Sequence, residues 1–337
     1  MVTIKQIAQE AGVSITTVSN VIKGNTAKVS PDTQFKIEQL LKKRNYIPRF
    51  GLRALNNKTS HMIGVIVHTP SFLLSSMYEH PFYGTILGLL ERSLRSQGYY
   101  MMICSSKDIH EIITLVMGWN VDGILGISMP LSALTEIMNK TGKPVVSIDM
   151  NVRQEPNPGE LVNITSKDLE SGKIMVEYLI QKGVQDILFF CNTRDGADYR
   201  RYMGANDAYQ KGYHKKRKLT NILIPPDYDD RLLMFDVFKN QADNGIAFFF
   251  STDLNAVEAI NFYENIGIRI PEQISIVGCD DDTFARLCPC GLTTIRVNIE
   301  EKAKKAVELL MCMIQGSEIL DRHPFIEVML IERGSVK

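Results

Sequence analysis

The sequence has no long hydrophobic run and few cysteines, and each absence excludes a class of protein. No stretch of 18 or more apolar residues occurs, which excludes a transmembrane helix by length. The N-terminus lacks the apolar segment of a secretory signal, so we expect a cytoplasmic protein. Of the six cysteines, only Cys288 and Cys290 are close in sequence, and no further Cys or His lies near them at ligand spacing. Reduced, buried thiols are therefore expected rather than a metal or redox site.

Catalytic and nucleotide-binding motifs are also missing. The chain has no HExxH, no G-x-S-x-G and no GxxxxGK[ST], and no GxGxxG follows its first predicted strand. Asp280 and Asp281 are adjacent, so on a strand they would point to opposite faces and could not act as a carboxylate pair. We therefore predict a protein that is not an enzyme and that has no cofactor and no metal.

The N-terminal residues 3–24 have the pattern of a helix-turn-helix. Thr3 and Gln6 have the spacing of a capping box, and Gly12 stands where the turn needs a positive φ. Ser14 is placed to cap a second helix, which Val18 and Val21 would pin to the first. A third helix is predicted to start at Ser30-Pro31-Asp32. The residues predicted to face outward from the second helix are short or compact: Ile15, Thr16, Thr17, Ser19 and Asn20.

The charge of the chain is divided unevenly. The whole sequence is neutral, but residues 1–58 hold ten Lys/Arg and three Asp/Glu, for a net charge of +7, and the remainder carries −7. A basic head attracts the phosphate backbone of DNA and releases counterions on binding. The alternative to a DNA-binding head is an ordinary amphipathic helix pair with a solvated lysine-rich face. Such a face is enough to explain the basic run Lys42-Lys43-Arg44 taken by itself.

From residue 60 onward, apolar strand segments alternate with helical segments. A chain of 337 residues is too long for one ordinary core. Unbroken apolar runs such as Met62–Val67 and Ile246–Phe250 are typical of parallel strands covered on both faces. The pattern predicts a small all-α head and an α/β core of two doubly wound parallel sheets.

Several sequence blocks resemble the lactose/galactose-repressor (LacI/GalR) family of bacterial transcription regulators. They are TIKQIAQEAGVSITTVSNVI and VSPDTQFKIEQLLKKRNYIP in the head, VDGILGIS and PVVSID in the body, and IPEQISIVGCDDDTFARLCPCGLTTIR near the end. The resemblance implies a helix-turn-helix domain over residues 1–48, a hinge helix or linker over 49–59, and a two-lobed, periplasmic-binding-protein-like core over 60–337. It implies a homodimer on near-palindromic operator DNA, associated with the bacterial nucleoid.

Within the core, the resemblance implies that the chain crosses between lobes three times. We place the crossings near Glu160, Gly291 and Leu320. Lobe 1 would then hold residues 60–160 and 292–320, and lobe 2 residues 161–291 and 321–337.

The resemblance also assigns DNA-contacting positions. Asn20 stands where the family usually has Arg; Arg pairs with guanine and Asn with adenine, so we expect a departure from the common half-site at that base pair. Leu55 matches the hinge leucine that wedges into the minor groove. The predicted base-reading residues are Ile15, Thr16 and Asn20, and the predicted phosphate or supporting contacts are Thr3, Ser14, Thr17, Ser19, Ser30, Thr33 and Tyr46.

The effector site is implied to lie between the lobes, at Phe82, Asp149, Arg201, Asp253 and Asp280. Carboxylates and a guanidinium suit vicinal hydroxyls, so a sugar or sugar derivative is the predicted effector. Two departures bear on it. An inserted segment, Ser71–Glu79, carries aromatics that could stack on a sugar or cap the lobe, and Lys167 could favour an anionic ligand or point to solvent.

Three functions therefore compete at this point. The main prediction is a repressor released by a small carbohydrate. The alternatives are a co-repressed, purine-type regulator and a solute-binding protein without a DNA function.

Overall fold

The structure, a computed structural model, describes residues 2–22, 25–44, 46, 59–68, 76–106, 108–150, 161–212, 219–241 and 245–337. The chain divides into two compact units, residues 1–58 and 59–337, which are described separately. The predicted hinge helix lies almost wholly outside the described residues, as does the predicted wedge residue Leu55. None of the helices in the described ranges is long and apolar enough to span a membrane.

The described residues of the head form three α-helices, as predicted. They are α1 (Ile4–Ala11), α2 (Ile15–Ile22) and α3 (Pro31–Lys43), with a 3-10 turn at Thr26–Lys28. The capping box forms, since Thr3 Oγ1 accepts from the Gln6 backbone N–H at 3.3 Å and Gln6 Oε1 accepts from the Thr3 N–H at 2.8 Å. Gly12 ends the first helix at φ 72°, which side chains disfavour. The helices share one small apolar core: Ile7, Ala8, Ala11, Val18, Val21 and Ile37.

In residues 59–337, the strands form two six-stranded sheets. In chain order the strands are β1 (Met62–Val67), β2 (Tyr100–Ser105), β3 (Gly123–Ile127), β4 (Val145–Ile148), β5 (Val162–Ser166), β6 (Asp186–Cys191), β7 (Thr220–Leu223), β8 (Ile246–Phe250), β9 (Ser275–Asp280), β10 (Thr293–Val297), β11 (Phe325–Ile326) and β12 (Val328–Ile331). The lobe 1 sheet has the order β11-β5-β4-β3-β1-β2, and the lobe 2 sheet β12-β10-β9-β8-β6-β7. Neighbouring strands are parallel except β10 and β12.

Helices cover both faces of each sheet. They are α4 (Pro81–Ser96), α5 (Ile109–Gly118), α6 (Leu131–Thr141), α7 (Asp168–Gln181), α8 (Gly196–Gly212), α9 (Tyr228–Phe238), α10 (Asp253–Asn265), α11 (Thr283–Leu287) and α12 (Ile299–Gln315), with short 3-10 turns at Met77–Glu79 and Lys239–Gln241. Each sheet thus lies between two apolar layers, such as those around Ile63 and Ile66 in lobe 1. This arrangement explains why the strands are nearly unbroken apolar runs.

The lobe boundaries predicted from the sequence are wrong. The predicted crossings near Glu160, Gly291 and Leu320 precede strands, but β5, β10 and β11 pair with the sheet that the chain is leaving. The chain therefore crosses only at the carboxyl ends of these strands, at Lys167, Asn298 and Glu327. The segment 325–331 is accordingly split at Glu327 between the two sheets.

Two glycines bring α7 and α8 into direct contact. A Cβ on Gly172 would lie 1.9 Å from the carbonyl oxygen of Arg201, and one on Gly204 would lie 1.8 Å from that of Leu169. Such distances are possible only for hydrogen at these positions. The close approach places Asp168, the first residue of α7, beside the arginines of α8.

Candidate functional site

The second helix of the head exposes the side chains that the sequence predicts for DNA contact. Ile15 is 51% exposed although it is apolar, and Thr16 is exposed beside it. Asn20 lies one turn further along α2 and is half-buried. An exposed apolar side chain can contact the methyl group of thymine, and the exposed polar side chain beside it can form hydrogen bonds with base edges.

Paired hydroxyls mark the start of α2 and of α3. Ser14 Oγ accepts from the Thr17 backbone N–H at 3.0 Å and lies 2.8 Å from Thr17 Oγ1. Ser30 and Thr33 repeat this arrangement with the same 2.8 Å oxygen separation. Backbone N–H groups and hydroxyls at helix N-termini are typical phosphate contacts. Tyr46, in contrast, packs partly buried against the apolar core of the head.

The core unit contains a cleft of about 430 Å³ between its two lobes. In both sheets the lining residues follow the carboxyl ends of parallel strands, where α/β folds place ligands. Lobe 1 contributes His68, His80, Phe82, Tyr83, Ser128, Asp149 and Lys302, and lobe 2 contributes Asn192 to Asp198, Arg201, Leu223, Thr252, Asp280 and Val297. Four of the five predicted effector residues, namely Phe82, Asp149, Arg201 and Asp280, lie in this lining.

Arg201 is the centre of the lobe 2 wall. Its guanidinium donates to Asp168 Oδ1 at 3.1 Å, to the Ser251 carbonyl at 2.6 Å and to Asp280 Oδ1 at 3.2 Å. Arg200 donates to the other oxygen of Asp168 at 3.2 Å. Arg201 is thus held in one orientation with its side chain 7% exposed, and it presents Asp280 to the cleft.

Burial controls the protonation of the carboxyl groups on this wall. Burial raises the pKa of Asp280 to about 7, although the positive charge of Arg201 opposes the shift. Burial also raises the pKa of Asp198, which accepts the backbone N–H groups of Asn192 and Thr193 at 2.9 and 3.1 Å. The carboxyl group of Asp280 can therefore accept or donate a hydrogen bond near neutral pH.

The lobe 1 wall combines an ion pair with aromatic rings. Lys302 Nζ lies 2.8 and 2.7 Å from the two carboxylate oxygens of Asp149. Tyr83 donates its hydroxyl to Ser128 Oγ at 3.3 Å, and its ring makes an edge contact with His80. Burial lowers the pKa of His80 to about 4, so this imidazole is neutral at physiological pH.

Comparisons with known proteins agree with this architecture. Residues 3–49 match the model of bacterial regulatory proteins, lacI family, and residues 176–336 match that of the periplasmic binding protein-like domain. The N-terminal domain of the chain is therefore that of the lacI family of bacterial regulatory proteins. The head is therefore a DNA-binding domain of a transcriptional regulator.

Curated relatives match the chain along its whole length. The HTH-type transcriptional repressor PurR of Vibrio atlanticus (strain LGP32) is 28% identical over 353 residues, covering 100% of this chain and 99% of the relative. The protein of that name from Pasteurella multocida (strain Pm70) is 29% identical over 357 residues, with the same coverage.

Solved structures share the fold. The lac repressor dimer bound to operator and the anti-inducer ONPF has a TM-score of 0.85 at 20% identity, covering 99% of this chain and 98% of that chain. A complex of the transcriptional regulator CelR with cellobiose has a TM-score of 0.71 at 23% identity, covering 99% of this chain and all of the other.

Asp253 is the one predicted effector residue that the structure places outside the cleft lining. It is fully buried at the start of α10, where it accepts from Thr294 Oγ1 at 2.5 Å and from the Asp282 N–H at 3.0 Å. Burial raises its pKa. Its carboxyl therefore joins α10 to β10 and the turn after β9, and the neighbouring Thr252 lines the cleft instead.

The structure also shows where the two departures from the family pattern lie. Lys167 lies outside the cleft lining and forms an exposed ion pair with Glu327 at 2.5 Å, so the argument for an anionic ligand from this lysine is lost. In the inserted segment, Met77 is buried in the lobe 1 core and Tyr78 is 58% exposed. Residues 71–75 of that segment lie outside the described residues.

The sequence analysis missed Lys302, Asp198 and Thr252. The sequence contains no pattern that predicts Asp198 or Thr252 as cleft residues. Residues that follow a strand line a cleft only once the sheet has folded. Lys302 does carry a signal, since it interrupts the apolar stripe of α12 between residues that the core needs.

Proposed function

We propose that this regulator is a sequence-specific repressor that binds a near-palindromic operator as a homodimer and is released by a small carbohydrate. The proposal rests above all on the arginine fork and two aspartates, Arg201, Asp149 and Asp280, that line one cleft from opposite lobes. A cleft of about 430 Å³ fits a small molecule.

The cleft chemistry suits neutral hydroxyls better than an anion. Lys302 and Arg201 each contact a carboxylate that lies in the same lining, so their positive charges are already compensated. Carboxylate oxygens accept from sugar hydroxyls, and the cations donate to them. Phe82 adds an apolar ring surface against which the C–H face of a sugar can pack.

Exposed apolar side chains support the homodimer. In lobe 1 they lie on the outermost strand β2 and at the end of the helix that follows it, at Tyr100, Met117 and Trp119. In lobe 2 the helix that follows the outermost strand β7 exposes Leu233 and Val237, at 66% and 71%. Contiguous exposed apolar surface marks an interaction site, and corresponding patches on both lobes suit a second copy of this chain.

Effector binding would act by changing the angle between the lobes. A ligand that contacts Asp149 and Asp280 together favours the lobe arrangement in which both contacts form. The three crossing segments at Lys167, Asn298 and Glu327 are the points at which that angle can change. We propose that this change moves the paired hinge segments apart and lowers operator affinity.

The test combines two measurements on the full-length protein. A duplex selected from a random library is bound in fluorescence anisotropy, and thermal-shift screening compares sugars, sugar phosphates and nucleobases. We expect a sugar to raise the melting temperature and to weaken operator binding, and Asp280→Ala to lose that response with operator affinity unchanged. Retention of operator affinity with the ligand demonstrably bound contradicts induction and favours the co-repressed alternative.

A further inference from the structure

Lys302 occupies a position that should be apolar. In α12 the residues that face the lobe 1 core include Ala303, Ala306, Val307 and Leu310, and Lys302 lies on the same stripe with 2% of its surface exposed. Burial of an ammonium group costs several kcal/mol unless it is compensated. A well-packed apolar residue would stabilise the helix at least as well, so stability alone does not account for this lysine.

The ammonium group is directed at the cleft rather than into the core. Its Nζ contacts both carboxylate oxygens of Asp149, at 2.8 and 2.7 Å, and lies 5.8 Å from the centre of the Phe82 ring. Lys302, Asp149 and Phe82 all line the cleft. In the described part of the chain, no other hydrogen bond of Nζ is recorded, so an ammonium with three donors keeps capacity for a ligand.

Asp149 likewise keeps acceptor capacity. A carboxylate offers about four lone-pair sites, and the lysine contacts use two of them. Asp149 directly follows β4 and has a φ of 50°. This conformation breaks the extended backbone at the carboxyl end of the strand. One acceptor and one donor thus lie side by side on lobe 1, as Asp280 and Arg201 do on lobe 2.

We infer that Lys302 and Asp149 form a second hydroxyl-binding pair, opposite Arg201 and Asp280, and that the effector is a polyhydroxylated molecule with a pair of neighbouring hydroxyls at each end. In each pair, one hydroxyl donates to the aspartate and its neighbour accepts from the cation. Lys302 is thereby a specificity-determining residue. The inference rests on the proposed carbohydrate effector. It adds the requirement for a second pair of neighbouring hydroxyls, which a ligand bound by lobe 2 alone would not need.

The ion pair also decides against an acidic effector at this wall. The contact of Lys302 with both Asp149 oxygens leaves the pair without net charge. A carboxylate or phosphate at the remaining donor of Lys302 would lie beside the Asp149 carboxylate, whose negative charge repels it. Neutral hydroxyls use the remaining donor and acceptor without breaking the pair.

The experiment is calorimetric titration of the full-length protein with aldohexoses, cellobiose and the monodeoxy forms of whichever hexose binds. Lys302→Met removes the charge at similar length, and Lys304→Met, on the exposed face of the same helix, is the matched control. We expect Lys302→Met to raise the Kd of the parent sugar by about 10- to 100-fold. The monodeoxy form that lacks the hydroxyl contacted by Lys302 should bind the wild type at least about tenfold more weakly than the parent sugar does. Lys302→Met should bind this monodeoxy form and the parent sugar with the same Kd.

Each contrary result has a separate meaning. If Lys302→Met keeps both the Kd and the discrimination against every monodeoxy form, the second pair is overturned while the carbohydrate effector stands. If no sugar binds the wild type and a nucleobase does, the carbohydrate effector fails and the second pair fails with it. Should Lys302→Met not fold, Asp149→Asn/Lys302→Met, which leaves no charge uncompensated, replaces it, and preserved discrimination in that variant overturns the inference.

Discussion

Asn20 is the residue at which this head should differ from its family in operator choice. Its amide can form two hydrogen bonds with adenine, whereas the arginine usual at this position pairs with guanine. It lies on α2 beside exposed Thr16, on the face that the first helix does not cover. Operator sequence is therefore decided by single side chains on a common scaffold.

Replacement of Asn20 by Ala should erode discrimination at one base pair per half-site by about 1–3 kcal/mol. The measurement is competition binding with operator duplexes that differ at each position in turn. Asn25→Ala, an exposed asparagine of the head outside α2, is the control. Equal weakening on every duplex would show that Asn20 contacts the backbone and reads no base.

Asp280 should make the stability of the core depend on pH. Its pKa is about 7 in the folded protein against 3.8 for the ordinary group, so the folded state binds more protons between these values. The contribution of Asp280 to the free energy of unfolding therefore falls as pH rises from about 4 to 7. Asp280→Asn, which cannot ionise, should show a smaller fall.

Urea unfolding of both proteins at pH 5 and pH 7.5 checks this expectation. Asp236→Asn, in an exposed ion pair with Lys239, serves as the matched control. If the wild type and Asp280→Asn lose the same free energy between the two pH values, Asp280 is ionised throughout and its burial does not govern its charge.

At the scale of elements, the contact between α7 and α8 positions the arginine fork. Gly172 and Gly204 allow the two helices to touch backbone to backbone, and only this approach brings Asp168 to Arg200 and Arg201. The ligand wall of lobe 2 thus depends on the absence of two side chains.

Gly204→Ala should destabilise the core by at least about 2 kcal/mol, because the new methyl group would lie 1.8 Å from the Leu169 carbonyl oxygen and the helices must separate. Gly88→Ala in α4 is the matched control. It has nothing within 4 Å, so it should stabilise by about 0.5–1 kcal/mol through helix propensity. Chemical denaturation measures both changes; similar values for the two variants would contradict the close contact.

The pairing of the strands beside the crossing segments determines which residues belong to each lobe. The crossing predicted near Gly291 from the resemblance lies instead at a turn that leads into β10, which pairs with β9. Strand pairing is a long-range property, and a turn residue carries no information about which sheet the next strand joins.

At the scale of the whole molecule, the proposed binding of two operator half-sites requires two heads and therefore association of two cores. Leu233→Glu/Val237→Glu places charges on the exposed apolar face of α9. We expect this variant to elute as a monomer in size exclusion with light scattering and to lose most of its operator affinity, because one head binds one half-site only.

Leu320→Glu is the control for this prediction, because Leu320 is 94% exposed and lies outside the two apolar patches. It should leave both the molecular mass in solution and the operator affinity unchanged. A Leu233→Glu/Val237→Glu variant that remains dimeric would place the interface elsewhere on the core.

The sequence by itself determined the local features and the family. Thr3, Gly12 and Ser30 set the ends of the head helices, and the apolar runs predicted the parallel strands, because caps and periodicity depend on neighbouring residues alone. The resemblance also predicted five effector residues, and four of them line the cleft.

Tertiary structure alone decided which of those residues line the cleft. Asp253 and Asp280 are similar in sequence, but one is enclosed by β10 and the turn after β9 while the other opens to the cleft. The charge of Lys302 is visible in the sequence, yet its partner Asp149 lies 153 residues earlier. Contacts over such separations form only when sheets and helices pack, and so the lobe boundaries, the cleft wall and the buried ion pair required the fold.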